Sequence, residues 1–154
     1  MSRTGSISLR VFQAFLATAN LGLSAYVIHW YRTSTAQAPN SAVVFLLAAS
    51  IISTLSILYL EFAPRFVSRL AHPYAALAVQ GFNTALYFGG FIAVAVYVGS
   101  LTFCEGSVCR AGRADAVVAA AAFCAWIAST SLTAKQMILG GPAARQSPAQ
   151  MWKA

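Results

Sequence analysis

Four long apolar stretches, each with few or no charges, dominate the chain: residues 9–31, 42–62, 74–101 and 115–139. A bilayer core about 30 Å thick takes about 20 such residues per helix, so each stretch is expected to cross a membrane. Short polar segments separate them: "RTSTAQAPN", "APRFVSRLAHP" and "TFCEGSVCRAGRAD". Beyond the fourth stretch lies "GGPAARQSPAQMWKA", whose Gly, Pro and Ala content predicts a flexible tail over residues 140–154. The expected fold is therefore an all-α membrane protein, a bundle of four transmembrane helices over residues 1–139.

Inside the stretches, polar and small residues recur at spacings of three and four, which places them on one helix face. Gln13, Ala17, Asn20 and Ser24 do so on the first helix, and Ala49, Ser53 and Ser56 on the second. The third carries Gln80, Asn83, Tyr87 and Gly90, with Ala76 extending the row backwards. Lipid offers a polar side chain no partner, so these rows are expected to point into the bundle. Gln13, Asn20, Gln80 and Asn83 are the expected polar seam, and Gly89 and Gly90 the expected place of close backbone approach. The fourth helix is crowded with Ala, Ser and Thr, a surface suited to tight packing.

Composition agrees with the pattern. Of 154 residues, 59% are hydrophobic and only 8% charged, and three are acidic. A soluble domain carries about 25% charged residues, so no such domain fits beside the four spans. A cleaved signal peptide is disfavoured because the first apolar stretch exceeds the usual 7–15-residue core. No lipidation motif or Asn-x-Ser/Thr sequon occurs.

Lys and Arg set the expected orientation. With a cytosolic N-terminus, that side receives Arg3, Arg10, Arg65, Arg69, Lys135, Arg145 and Lys153, against Arg32, Arg110 and Arg113 opposite. Both termini are thus expected in the cytosol. The net charge of +7 follows from this bias and favours anionic cytoplasmic lipid. The basic residues form no stripe, so nucleic acid is not an expected partner.

Under that orientation the third polar segment faces an oxidising compartment, where a Cys pair usually closes a disulfide. Cys104 and Cys109 bracket a short loop in which Gly106 eases the turn, and a structural bridge is the favoured reading. Free thiols are the alternative. Zinc would need four ligands and the loop supplies no His, while redox chemistry usually uses Cys-x-x-Cys. Cys124, near the middle of the fourth helix, reads as a packing residue.

Glu61 is an acid near the end of the second span. It lies four residues before Arg65 at the cytosolic boundary, where pairing with that arginine is expected. His29 ends the first helix with Trp30 and Tyr31 as an interfacial aromatic group, and His72 reads as solvated. General acid–base catalysis needs positioned titratable groups. His29, His72, Glu61 and Asp115 fall at different levels and on both sides, and none reads as buried. No catalytic, cofactor-binding or metal-binding set is expected, and the chain reads as no enzyme.

Taken together, "LRVFQAFLATANLGLSAYVIHW", "HPYAALAVQGFNTALYFGGFIAVA" and the Cys-containing loop before an Ala-rich fourth helix resemble the fungal MARVEL tetraspan family, in its non-classical-export, plasma-membrane organiser branch. That family often has an acid three positions before the helix-three Asn, where this chain has Gln80. The resemblance implies a four-helix bundle working in plasma-membrane microdomains of the eisosome type, in trafficking or in non-classical export. The expected role is a non-catalytic membrane organiser whose partners are lipids, sterol or sphingolipid among them, and itself or another membrane protein. An accessory subunit of a transporter or synthase complex is the runner-up, and a homo-oligomeric pore follows it.

Overall fold

The computed structural model describes residues 3–35, 38–66, 73–100 and 106–139. They form four α-helices: α1 (Arg3–Ser34), α2 (Ser41–Phe66), α3 (Pro73–Ser100) and α4 (Ser107–Leu139). Each contains an apolar segment long enough to cross a membrane. In hydrocarbon every backbone N–H and C=O must find a partner within the protein, which leaves the continuous helix as the natural solution.

The helix starts follow from local chemistry. Asn40 caps α2, its Oδ1 accepting from the Ala42 N–H at 2.8 Å while its carbonyl accepts from Val43 and Val44. Pro73 opens α3, at the position where a missing N–H costs nothing. Gly106, at φ +107°, provides the left-handed backbone that turns the chain into α4, and its carbonyl accepts from Arg110 N–H at 3.3 Å.

The helices pack as a ring, α1 against α2, α2 against α3, α3 against α4 and α4 against α1. Consecutive helices run antiparallel. One end of the bundle, here called proximal, holds the start of α1, the α2–α3 connection and the end of α4. The distal end holds the α1–α2 and α3–α4 connections. Buried positions keep helical spacing throughout: Gln80, Asn83, Tyr87 and Val94 on α3, and Asp115, Ala119, Ala122, Trp126 and Ser129 on α4.

The fourth helix begins earlier than its apolar stretch suggests. Ser107 to Ala114 are helical, so Asp115 lies about 12 Å inside α4 at 1.5 Å per residue. Cys109 belongs to this helix and is buried, rather than standing in a polar loop. The remainder of that loop, with Cys104, and the tail from residue 140 lie outside the described residues.

One glycine lets α3 come close to α2. A Cβ added at Gly90 would stand 2.8 Å from Leu46 Cδ1, whose side chain is fully buried. Gly89 faces outward, with only Phe45 Cε1 at 4.0 Å. Of the two glycines, only Gly90 is required for close approach. Because lipid is as apolar as Leu, helix association in a membrane relies on van der Waals fit of this kind. Gly90→Leu is expected to destabilise the bundle by about 1–3 kcal/mol through overpacking. Gly22→Leu, with nothing within 4 Å, is expected to stay within about 0.5 kcal/mol. Melting both variants in detergent checks the contrast, and equal melting would refute it.

Candidate functional site: polar groups inside the bundle

Ten polar or charged side chains are buried among the described residues, and all four helices contribute. They fall into four groups at different heights. Gln13 donates from Nε2 to the Ala125 carbonyl at 3.2 Å and joins α1 to α4. Arg10 reaches the same side chain, Nη1 to Oε1, at 3.4 Å. At α3–α4, Gln80 Oε1 accepts from Ser129 at 3.1 Å and Thr133 at 3.0 Å, and the hydroxyls of Thr84 and Thr130 lie 3.3 Å apart. At α2–α3, Asn83 donates to Ser56 Oγ at 2.8 Å and to the Val79 carbonyl at 2.9 Å.

The fourth group lies toward the distal end. Ser24 donates to Asp115 Oδ2 at 2.6 Å between α1 and α4, with both residues at 0% exposure. One turn below Ser24 on the same face, Asn20 is also fully buried. The Tyr87 hydroxyl lies close to Asn20, Ser50 and Ser53. Yet Asn20 Oδ1 and Nδ2, Ser53 Oγ, Tyr87 OH and Asp115 Oδ1 all lack a hydrogen-bond partner among the described residues. Above this group, Tyr31 and Tyr97 cross the bundle diagonal, their hydroxyl oxygens 2.6 Å apart.

Gln13, Asn20, Gln80 and Asn83 thus all sit inside, at 0–1% exposure, but they do not meet in one seam. Gln13 and Gln80 each reach α4, Asn83 reaches α2, and Asn20 joins the Tyr87 group. Tyr31 is partly buried, leaving exposed His29 and Trp30 at the surface. Glu61 is partly buried and has Arg10, across the α1–α2 interface, within electrostatic range. The Arg65 side chain lies outside the described ones, as does His72. Cys109 is not a free thiol, whereas Cys124 is free and exposed on the bundle's outer surface. That surface position corrects the packing role expected for Cys124.

Asp115 is the principal residue that the sequence reading missed: an acid assigned to the outer boundary stands sealed inside the bundle. A signal was present, since Asp115, Ala119, Ala122, Trp126 and Ser129 repeat at four and three. Two nearby arginines, Arg110 and Arg113, made the segment read as loop. Both are exposed, so they project outward from the helix whose inner face carries Asp115. Among the described residues, no group of three or more His, Cys, Asp or Glu side chains could hold a metal ion.

The Gln80 contacts yield a measurable coupling. Interhelical hydrogen bonds in membranes average about 0.6 kcal/mol and reach about 1.7. A double-mutant cycle of Gln80→Leu with Ser129→Ala is therefore expected to return a coupling of about 0.5–1.7 kcal/mol. Gln80→Leu paired with Ser56→Ala, which contacts Asn83 instead, should be additive within about 0.5 kcal/mol. Equal coupling in both cycles would show that the two interfaces are not energetically separate.

Comparison with known families finds that residues 2–132 match the model of the MARVEL family, described as a membrane-associating domain. Comparisons with curated proteins and with solved structures return no match.

Proposed function

The chain belongs to the MARVEL family of membrane-associating domains, and from that premise we propose that it is a non-catalytic organiser of plasma-membrane microdomains or membrane traffic. The supporting observation is the division of its surfaces. Buried hydrogen bonds link its helices, while large apolar side chains such as Phe12, Phe15, Leu55, Phe82 and Phe88 face outward. An integral bundle of this kind acts through what its perimeter touches: lipid, other copies of itself or the helices of another membrane protein. Resemblance to the fungal organiser branch supports the plasma membrane and eisosome-type domains as the setting.

Both termini are assigned to the cytosol on the Lys and Arg bias. The distal end then faces the exterior, and Cys104 and Cys109 are proposed to form a disulfide there that braces the α3–α4 connection. Near the opposite boundary, Glu61 is proposed to pair with Arg65 as well as lying near Arg10.

Two measurements test this reading. In cells, clusters of the fluorescently tagged full chain are expected to disperse when sterol or sphingolipid is depleted. Clusters that ignore both lipids, together with stoichiometric co-purification of an enzyme or transporter, would make the chain an accessory subunit instead. In a Cys124→Ala background, an impermeant thiol reagent is expected to label Cys104 and Cys109 on intact cells only after reduction. Labelling confined to reagents admitted to the cytosol would invert the topology.

A further inference from the structure

We propose that the distal half of the bundle is a binding site for a hard monovalent cation of the alkali type. The site is centred on Asp115 and completed by Asn20, Ser53 and Tyr87. Each of the four helices contributes one member, and each member is at 0% exposure. Their outward-facing alternatives are lipid or headgroup, so the polar atoms are committed to the interior.

Charge is the first reason. The Asp115 carboxyl makes a single hydrogen bond among the described residues, to Ser24 at 2.6 Å, and its Oδ1 has no partner. The described groups around it are neutral: Ser24 donates to it, Tyr87 of α3 lies within electrostatic range, and Asn20 of α1 and Ser50 and Ser53 of α2 adjoin that tyrosine. Arg110 and Arg113, on its own helix, are exposed. Carboxylates inside membrane bundles characteristically pair with a counter-charge or mark an ion site, and among the described residues no side chain supplies that charge.

Ligand chemistry is the second. Asn20 Oδ1, Ser53 Oγ, Tyr87 OH and Asp115 Oδ1 are all oxygens without partners. A set with one carboxylate, one amide carbonyl and hydroxyls, lacking thiolate or imidazole, suits a hard cation and not a transition metal. A single negative charge matches one positive charge. Asn20 Nδ2, a donor also without a partner, has no role toward the ion and is suited to a water that completes the shell. Ser50 is occupied by the Leu46 carbonyl at 2.9 Å and remains a peripheral neighbour.

The test uses the purified full chain in mild detergent, melted in sodium, lithium, potassium or choline chloride at equal ionic strength. Native mass spectrometry is run on the same samples. Tenfold saturation over the dissociation constant is expected to raise the melting temperature by about 3–6 °C over choline, with one alkali adduct per chain. Asp115→Asn should remove both. Loss even of outer partners costs 10–100-fold in affinity at metal sites, so Ser53→Ala should raise the half-point at least roughly tenfold. Ser53→Ala keeps the carboxyl and carries the test if Asp115→Asn does not fold.

Equal melting in sodium, lithium, potassium and choline would overturn the proposal, as would an ion shift that survives Asp115→Asn or is unmoved by Ser53→Ala. A melting temperature that follows pH and ignores the alkali ion would also overturn it, because the carboxyl would then be neutralised by a proton. None of these outcomes depends on lipid clustering, so the cation site and the organiser role stand or fall separately.

Discussion

Hydrocarbon cannot hydrogen-bond, and that constraint shapes this molecule at every level. On the backbone it demands unbroken helices, which is why α1 to α4 run for 32, 26, 28 and 33 residues with only short connections between them. On the side chains it separates polar from apolar more sharply than water does, in the opposite sense to a soluble protein. Gln13, Asn20, Gln80 and Asn83 are inside, while phenylalanines and leucines coat the perimeter. Since lipid competes equally well for apolar surface, those few interior hydrogen bonds and the close fit at Gly90 hold the helices in register.

The interior is not uniformly satisfied. The proximal groups are largely paired: Gln80 accepts from two hydroxyls and Asn83 donates to Ser56 and to the backbone, although its Oδ1 lacks a partner among the described residues. Farther toward the distal end, Asn20, Ser53, Tyr87 and Asp115 each bury a polar atom without a partner among the described residues, and Asn20 and Ser53 adjoin Tyr87. Buried polar groups left without partners each carry a desolvation cost of about 1–3 kcal/mol. Most of them belong to Tyr87, its neighbours Asn20 and Ser53, and Asp115, and it is there that a ligand would change stability most.

The number of spans, the inward rows on the first three helices and the membrane-associating family were legible in the sequence, because period and length are one-dimensional signals. Three-dimensional partnership was not. Gln80 and Asn83 share a face of α3, yet Gln80 turns to α4 and Asn83 to α2, a divergence fixed by the angular positions of the neighbouring helices. Asp115 was misplaced for a different reason. Reading the span from its first long apolar run ignores the turns between Ser107 and Ala114, where outward arginines conceal an inward face that small residues and a carboxyl continue. Tyr31 likewise looked like a surface aromatic, and only the diagonal partner Tyr97 on α3 explains its turn inward.

The helices are unequal: 26 residues on α2 and 28 on α3 against 32 on α1 and 33 on α4. At 1.5 Å per residue the shortest rod is about 39 Å and the longest about 50 Å. A lipid leaflet wetting this perimeter therefore meets a body of uneven height. Mismatch energies are fractions of a kcal/mol per Å, small for one neighbour but summed over a whole annulus. Thicker, more ordered lipid would gather along the α1–α4 flank and thinner, more fluid lipid beside α2 and α3, giving the protein a lateral polarity in the plane of the bilayer.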